Sequence, residues 1–356
     1  MKAQKNTMIK TPDRRSRILG CMLGGAIGDA MGAPVKFLGL AEIYRRFGKK
    51  GITLYEAVFG RYGAITADTQ MALFTAEGLI LSTVRKEYSQ ENQLIPALYH
   101  AYLRWLYTQE VQLQQQLIGS HGTCSVVDGI LTGYKNLFAR RAPENTCLSA
   151  LRSGQMGTMD LPLNDSNRCG GIMRVAPIGL AFRDPDIAFL RGCEAAVITH
   201  GHPSGYLAAG FFSAFISFLV SGNTLEKAVT ESTLLLQSKE KSNDCVWAVE
   251  KAVALADKGN LSPEKIESLG SGWSAEEALS IGLCCALSAE SNFSKGVLLS
   301  VNHSGNSDAT GSITGNILGA LSGRDSIPEK WLSGLEMREV IEEVAVDVME
   351  RFSSRS

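Results

Sequence analysis

Net charge is nearly absent from this chain: 35 Lys and Arg stand against 36 Asp and Glu in 356 residues, leaving a formal −1. Without a basic field, neither a nucleic acid nor a membrane surface is an expected partner. Strict apolar–polar alternation is also missing, as are hairpin dipeptides flanked by β-branched runs, which argues against a sandwich or barrel. The eight cysteines include no Cys-x-x-Cys pair and no companion histidine at zinc spacing. They read as buried free thiols in a reducing compartment. No apolar stretch precedes Ile18 as a signal segment. The longest apolar run, Leu207–Val220, is interrupted by Gly210, Ser213 and Ser217 and falls short of a bilayer. The expectation is a cytoplasmic protein with no membrane span, no internal repeat and no low-complexity linker.

What the chain does have is helical periodicity. Apolar residues recur at i, i+3 and i+4 through Asp68–Arg85, Leu94–Leu106, Gly205–Val220, Thr224–Gln237, Ala248–Ala256, Ala275–Leu287 and Val340–Phe352. The sequence therefore predicts an all-α protein: one multi-helix domain over 18–356 behind an N-terminal arm, residues 1–17. That arm carries six Lys/Arg against the single Asp13, a local charge of +5, with almost nothing apolar.

Glycine is abundant, at 36 residues, and it concentrates with Ser, Thr, Asp and Asn in four segments: 24–37, 63–70, 164–173 and 302–315. These read as loops between apolar helices, denser in glycine than plain connections need. Glycine-rich loops at helix N-termini expose backbone N–H groups to anions, so the pattern hints at a phosphate-bearing ligand. The first of them, GGAIGDAMGAPVKF, is not a dinucleotide fingerprint, because residues 14–23 do not read as a preceding strand. The Gly201–Gly205 segment, GHPSG, places its serine one position late for a nucleophile elbow. Asp68 or Thr69 before one helix, and Asp308 before another, are plausible N-caps. The same oxygens could instead share a hard cation such as magnesium.

Taken in order, GAIGDAMGAPVKF, ITADTQMALFTAEGLI, NRCGGIMRVAPIGL, ITHGHPSGYLAAG and VNHSGNSDATGSITGNILGA resemble the motifs of the ADP-ribosylglycohydrolase family. The resemblance covers Ile18 to about Gly323. It implies an all-α fold that removes ADP-ribose from protein side chains, typically arginine, with paired magnesium ions. Position by position, Thr66, Asp68 and Asp308 match the family's metal ligands. Lys36 stands where the family has a ligating Glu, Ala67 where it has a second acid, Asn306 where it has Asp, and Ala309 where it has a hydroxyl. By resemblance, Asp29 lies near the ribose and Asp29 or Asp68 would be the catalytic base. Gly170, Gly171, Ile172 and Met173 would cradle the diphosphate, and His200 or His202 would lie toward the nucleoside.

Two carboxylates and one ammonium at the matched positions leave a net −1 for two Mg²⁺ ions. A unit-charge pair at ~4 Å is worth about 4 kcal/mol at an effective dielectric near 20, so Lys36 works strongly against a divalent ion. The sequence thus predicts weak or absent hydrolysis with ADP-ribose, or an ADP-ribosylated protein, still bound. Some bacterial family members are immunity proteins against ADP-ribosyltransferase toxins. On that resemblance the arm would occlude such a toxin through Arg14, Arg15 and Arg17, and deleting residues 1–17 would leave the fold intact. The competing expectation is an active magnesium-dependent ADP-ribosylarginine hydrolase. A third is a housekeeping nucleotide-sensing or structural relative with neither toxin nor turnover.

Overall fold

The computed structural model describes residues 11–86, 94–109 and 129–353. Among these residues lie sixteen α-helices, several short 3-10 turns and no strand beyond the isolated bridges Val58–Arg61 and Arg168–Ser274. In chain order the helices are α1 (Arg14–Gly32), α2 (Leu40–Phe47), α3 (Ala67–Lys86), α4 (Leu94–Gln109), α5 (Asn145–Arg152), α6 (Ala176–Ala181), α7 (Pro185–Val197) and α8 (Pro203–Val220). They continue with α9 (Leu225–Gln237), α10 (Asn243–Asp257), α11 (Pro263–Ile266), α12 (Ala275–Ser288), α13 (Phe293–Val301), α14 (Ser307–Ser322), α15 (Glu329–Leu332) and α16 (Arg338–Ser353). Every helix expected from periodicity is present, with ends displaced by a few residues as capping groups dictate. The longest apolar run sits in α8, which has 18 residues and a mean hydropathy of 1.5. By length and composition α8 could cross a membrane, but 83% of it is buried inside the fold.

Two of the four expected loops are not loops. Gly24–Gly32 forms the second half of α1, and the last of the four segments is helical from Ser307 onward. The glycines serve interhelical contact there. A Cβ on Gly315 would stand 1.9 Å from the carbonyl oxygen of Gly24, and one on Gly319 the same distance from that of Gly20. Gly28 and Gly311 repeat the arrangement one turn further along. The helices meet backbone to backbone, and that contact offsets the helix propensity each glycine forfeits.

The N-terminal arm is likewise shorter than the sequence suggests. Helix α1 begins at Arg14 because Asp13 caps it, accepting from the amide of Ser16 at 2.7 Å. Arg17 is buried, and its Nη1 donates to the carbonyls of Ala320 at 3.0 Å and of Leu219 and Leu321, capping the ends of α8 and α14. Arg14 donates to Leu180 O at 2.9 Å. Two of the three expected partner-binding guanidiniums are thus structural, and Arg15 alone of the three is exposed. Residues 1–10 lie outside the described residues.

Deleting residues 1–10 removes neither the Asp13 cap nor the Arg17 bonds and is expected to leave the melting temperature within about 2 °C of the full chain. Deleting residues 1–17 removes the Asp13 cap and the Arg17 bonds, and should lower it markedly in the same thermal melt. Gly315→Ala would gain helix propensity of about 1 kcal/mol. The clash with the α1 backbone should win and destabilise by about 2 kcal/mol in denaturant titration.

Candidate functional site

The end of α1 and the start of α14 bring one charged pair together. After Gly32 the chain turns, with the amides of Val35 and Lys36 both donating to Gly32 O. Phe37 follows at a φ of 71°, a left-handed conformation costly for a bulky side chain, and its amide bonds to Gly305 O at 3.2 Å. This turn delivers the Lys36 ammonium onto Asp308, Nζ to Oδ2 at 2.7 Å, with both side chains buried. Burial works against the ammonium, but the carboxylates of Asp308 and Asp68 and the hydrogen bond to Asp308 outweigh it and hold Lys36 above its ordinary value.

Helix α3 contributes Asp68 from its first turn. Thr66 caps this helix through its hydroxyl, which accepts from the Asp68 amide at 3.2 Å. Asp29 reinforces the cap from α1: its Oδ2 accepts from the amides of Thr66 and Thr69 and from the Thr69 hydroxyl. Burial and the nearby Asp308 push the Asp29 carboxyl up to about 6, against those hydrogen bonds. Burial and Asp308 also raise Asp68, while Lys36 pulls it down. A buried carboxylate, Glu336, held between the buried Arg141 and the exposed Arg61, fixes the approach to α3. Glu336 accepts from Arg61, from Arg141 and from the amide of Ile65, and the Arg141 carbonyl accepts from Ala67 N at 3.0 Å.

A cavity of about 240 Å³ opens over these residues, lined on its polar side by Lys36, Asp68, Glu144, Thr146, Arg168 and Asn306. Its aromatic wall is Phe37 stacked on Trp273, with ring centroids 5.2 Å apart. Lys36 and Arg168 both approach the Trp273 ring, at 5.9 and 5.5 Å. Backbone bonds between residues 167–169 and 273–275 hold that tryptophan against the glycine-rich segment. Asn306 donates to Cys169 Sγ and to Gly272 O, leaving its own Oδ1 without a partner among the described residues, like Asp68 Oδ2.

Of the residues singled out from sequence, Asp68, Met173, Lys36 and Asn306 line the cavity. Asp29 and Thr66 do not; they are fully buried parts of the α3 cap. In this arrangement Asp29 positions the start of α3 through Oδ2, while its Oδ1 has no partner among the described residues. The amides of Ile172 and Met173 are already bonded to Cys169 O, so they are not free for a diphosphate. His202 caps α8 by accepting from Ser204 N, away from the cavity lining. His200 lies behind the wall, its Nε2 2.9 Å from Glu144 Oε2. Burial keeps the His200 imidazole below its usual value. The Glu144 carboxyl, despite burial, is held below the usual range by His200 and by the amide of Thr146. Phe37 and Arg168 lay inside the quoted motifs without being read as site residues. Glu144, Thr146 and Trp273 had no local signal, since each reaches the cavity from a distant part of the chain.

A pair of magnesium ions does not fit these residues. Magnesium needs about six oxygens at ~2.1 Å per ion. Positions 36, 67, 306 and 309 supply an ammonium, a methyl group, an amide and a methyl group. The ammonium sits at bonding distance from Asp308, the place a cation held by that carboxylate would take.

Lys36→Met should therefore lower stability by about 3 kcal/mol, because removing one partner of a buried pair leaves the other uncompensated. Millimolar Mg²⁺ should raise the melting temperature of this variant and leave that of the native chain unmoved, as followed by differential scanning fluorimetry.

Comparisons with known proteins agree with this architecture. An uncharacterized protein of Archaeoglobus fulgidus is 26% identical over 336 residues, covering 93% of this chain and 95% of its own. The ADP-ribosyl-[dinitrogen reductase] glycohydrolase of Rhodospirillum rubrum is 23% identical, covering 92% of each chain. The ADP-ribosylarginine hydrolase Tri1 of Serratia proteamaculans is 23% identical, covering 95% of this chain and 80% of its own. A solved structure of an ADP-ribosylglycohydrolase-related protein complex superposes with a TM-score of 0.65 at 23% identity, over 95% of this chain and 99% of that one. The family model for ADP-ribosylglycohydrolase matches residues 10–356, and this chain belongs to that family.

Proposed function

We propose that this chain binds ADP-ribosyl groups in the cavity over α1, α3 and α14 without magnesium-dependent turnover. The observation that carries the reading is the buried Lys36–Asp308 pair, in which a tethered ammonium stands where a carboxylate-held metal would sit. The rest of the cavity suits an anionic, ring-bearing ligand. Arg168 offers positive charge to a diphosphate, the Asp68 and Glu144 carboxylates offer acceptors to sugar hydroxyls, and Phe37 with Trp273 offers a π surface. Binding of this kind needs no ion to orient the ligand.

A toxin-blocking role is the finer reading within this proposal. It draws on the basic character of the N-terminus rather than on the cavity. With Arg14 and Arg17 engaged in the fold, any such contact falls to Arg15 and to Lys2, Lys5 and Lys10, the last three outside the described residues. Truncation at residue 10 is consequently the informative deletion for partner binding.

The test is release of ADP-ribose from an arginine-ADP-ribosylated protein, with Mg²⁺ and with EDTA, beside a variant carrying Lys36→Glu, Ala67→Asp, Asn306→Asp and Ala309→Ser. The native chain should release none under either condition while binding ADP-ribose calorimetrically in EDTA. The fourfold variant should gain release with Mg²⁺ by about a hundredfold or more over background, the several kcal/mol a metal supplies. Magnesium-dependent release by the native chain would overturn the proposal in favour of an ordinary hydrolase. Absence of ADP-ribose binding would overturn it outright.

A further inference from the structure

Behind the cavity wall, three side chains of different chemistry converge. Glu144 precedes α5, Cys147 lies in its first turn, and His200 follows α7. A carboxylate oxygen, the Cys147 sulfur and a ring nitrogen all lie within 4.8 Å of one another. A Cβ on Gly170 would come to 2.7 Å from Glu144 Oε2, 2.8 Å from Cys147 Sγ and 2.9 Å from His200 Cε1. Gly170 therefore faces the group and leaves clear the space a side chain would fill.

We infer that Glu144, Cys147 and His200 form a binding site for a borderline-soft divalent cation of the zinc class, with its fourth position toward the cavity. Thiolate, imidazole and carboxylate together favour zinc-like ions over magnesium, and three protein ligands with one open position is the common arrangement for an accessible zinc ion. This inference goes beyond the proposed function and does not depend on it.

Two features outside the triad support the assignment. The His200 Nδ1 lies 2.8 Å from the Thr199 hydroxyl, the kind of contact that fixes the ring of a metal-bound histidine. Arg174 is fully buried, and among the described residues no carboxylate lies within ion-pair distance of it. Its Nη2 donates to Thr199 Oγ1 at 2.7 Å and to Ala195 O, its Nη1 reaches Cys147 Sγ at 3.5 Å, and its Nε has no partner. The Nη1 contact favours the thiolate form of Cys147, the form that an ion would bind. Glu144 reaches the cavity surface, giving an ion its route in.

The proton balance is simple. Burial raises the Cys147 thiol well above its usual value, so the metal-free site holds S–H. Metal binding forms the metal–sulfur bond and releases that proton to solvent. The His200 proton moves from Nε2 to Nδ1 and stays on the ring, the Nδ1–H donating to the Thr199 hydroxyl oxygen, and the Glu144 carboxylate exchanges its hydrogen bond from His200 for the ion. One proton leaves per ion bound.

The chelator-stripped full chain, titrated with Co²⁺, should show a thiolate-to-cobalt charge-transfer band that saturates at one equivalent, together with one proton released per ion. Zn²⁺ should bleach the band by displacement. Cys147→Ser should abolish it, and His200→Gln and Gly170→Ala should each weaken Co²⁺ binding by about a hundredfold. Cys193→Ser, which alters a thiol elsewhere in the fold, should leave it intact, with circular dichroism verifying that each variant is folded. Absence of the band in the native chain would overturn the assignment whatever the variants do. A band that survives Cys147→Ser would overturn it as well, by placing the ion on another thiol.

Discussion

The backbone contact between α1 and α14 is the constraint from which the site follows. Glycine pairs along both helices let the two backbones touch, and no side chain larger than hydrogen fits at those crossings. Because the helices cannot slide without collision, their ends are fixed relative to each other. Asp29 near the end of α1 is thereby placed to cap α3, and Asp308 at the start of α14 is placed beneath Lys36. The turn after Gly32 absorbs the remaining strain in the left-handed conformation of Phe37. Three carboxylates are drawn together by this geometry: Asp29 Oδ2 is met by backbone amides and a hydroxyl and Asp308 by an ammonium, while Asp29 Oδ1 and Asp68 Oδ2 have no partner among the described residues.

Such a group of buried acids is unfavourable without compensation, because desolvation and mutual repulsion both disfavour the charged forms. One solution is metal. Here an internal cation, covalently part of the chain, does part of the same electrostatic work and carries a different coordination chemistry. An ammonium offers three hydrogen bonds and no vacant orbital, so it can neutralise and orient without polarising a water. The Glu336 group shows the same principle on the other side of α3, where Arg61 and Arg141 balance a buried carboxylate that also fixes a loop amide. Charge in this interior is used to position backbone segments.

The helices were legible in the sequence because each buries an apolar stripe whose period survives local detail. Glycine was the misleading signal: GGAIGDAMG and GSITG read as loops by propensity, yet they are helical because the packing partner rewards the missing side chains. The arm was overestimated for a related reason. Arg17 looks like solvated charge in one dimension, whereas in the fold its guanidinium satisfies carbonyl groups from residues roughly 200 and 300 positions away. At the site, Thr66, Asp68, Asp308 and their altered neighbours lay in recognisable motifs. Glu144 and Cys147, at the start of α5, and Trp273 did not, because they lie outside those motifs and reach the site only through tertiary structure. The cysteine spacing gave no zinc-like pattern, since His200, which the fold brings beside Cys147, is 53 positions away in the chain.

The stacked tryptophan has a practical consequence. Of the four tryptophans, Trp105 and Trp331 are sealed in the interior, and Trp247 is exposed on α10 with a lysine over its ring. Trp273 alone borders the cavity, with Phe37 stacked on its ring and the Arg168 guanidinium beside it. An occupant must disturb that stack or displace the charges next to it, and the indole's emission depends on both. The pocket thus contains its own optical reporter, and ligand occupancy can be followed by intrinsic fluorescence without a label.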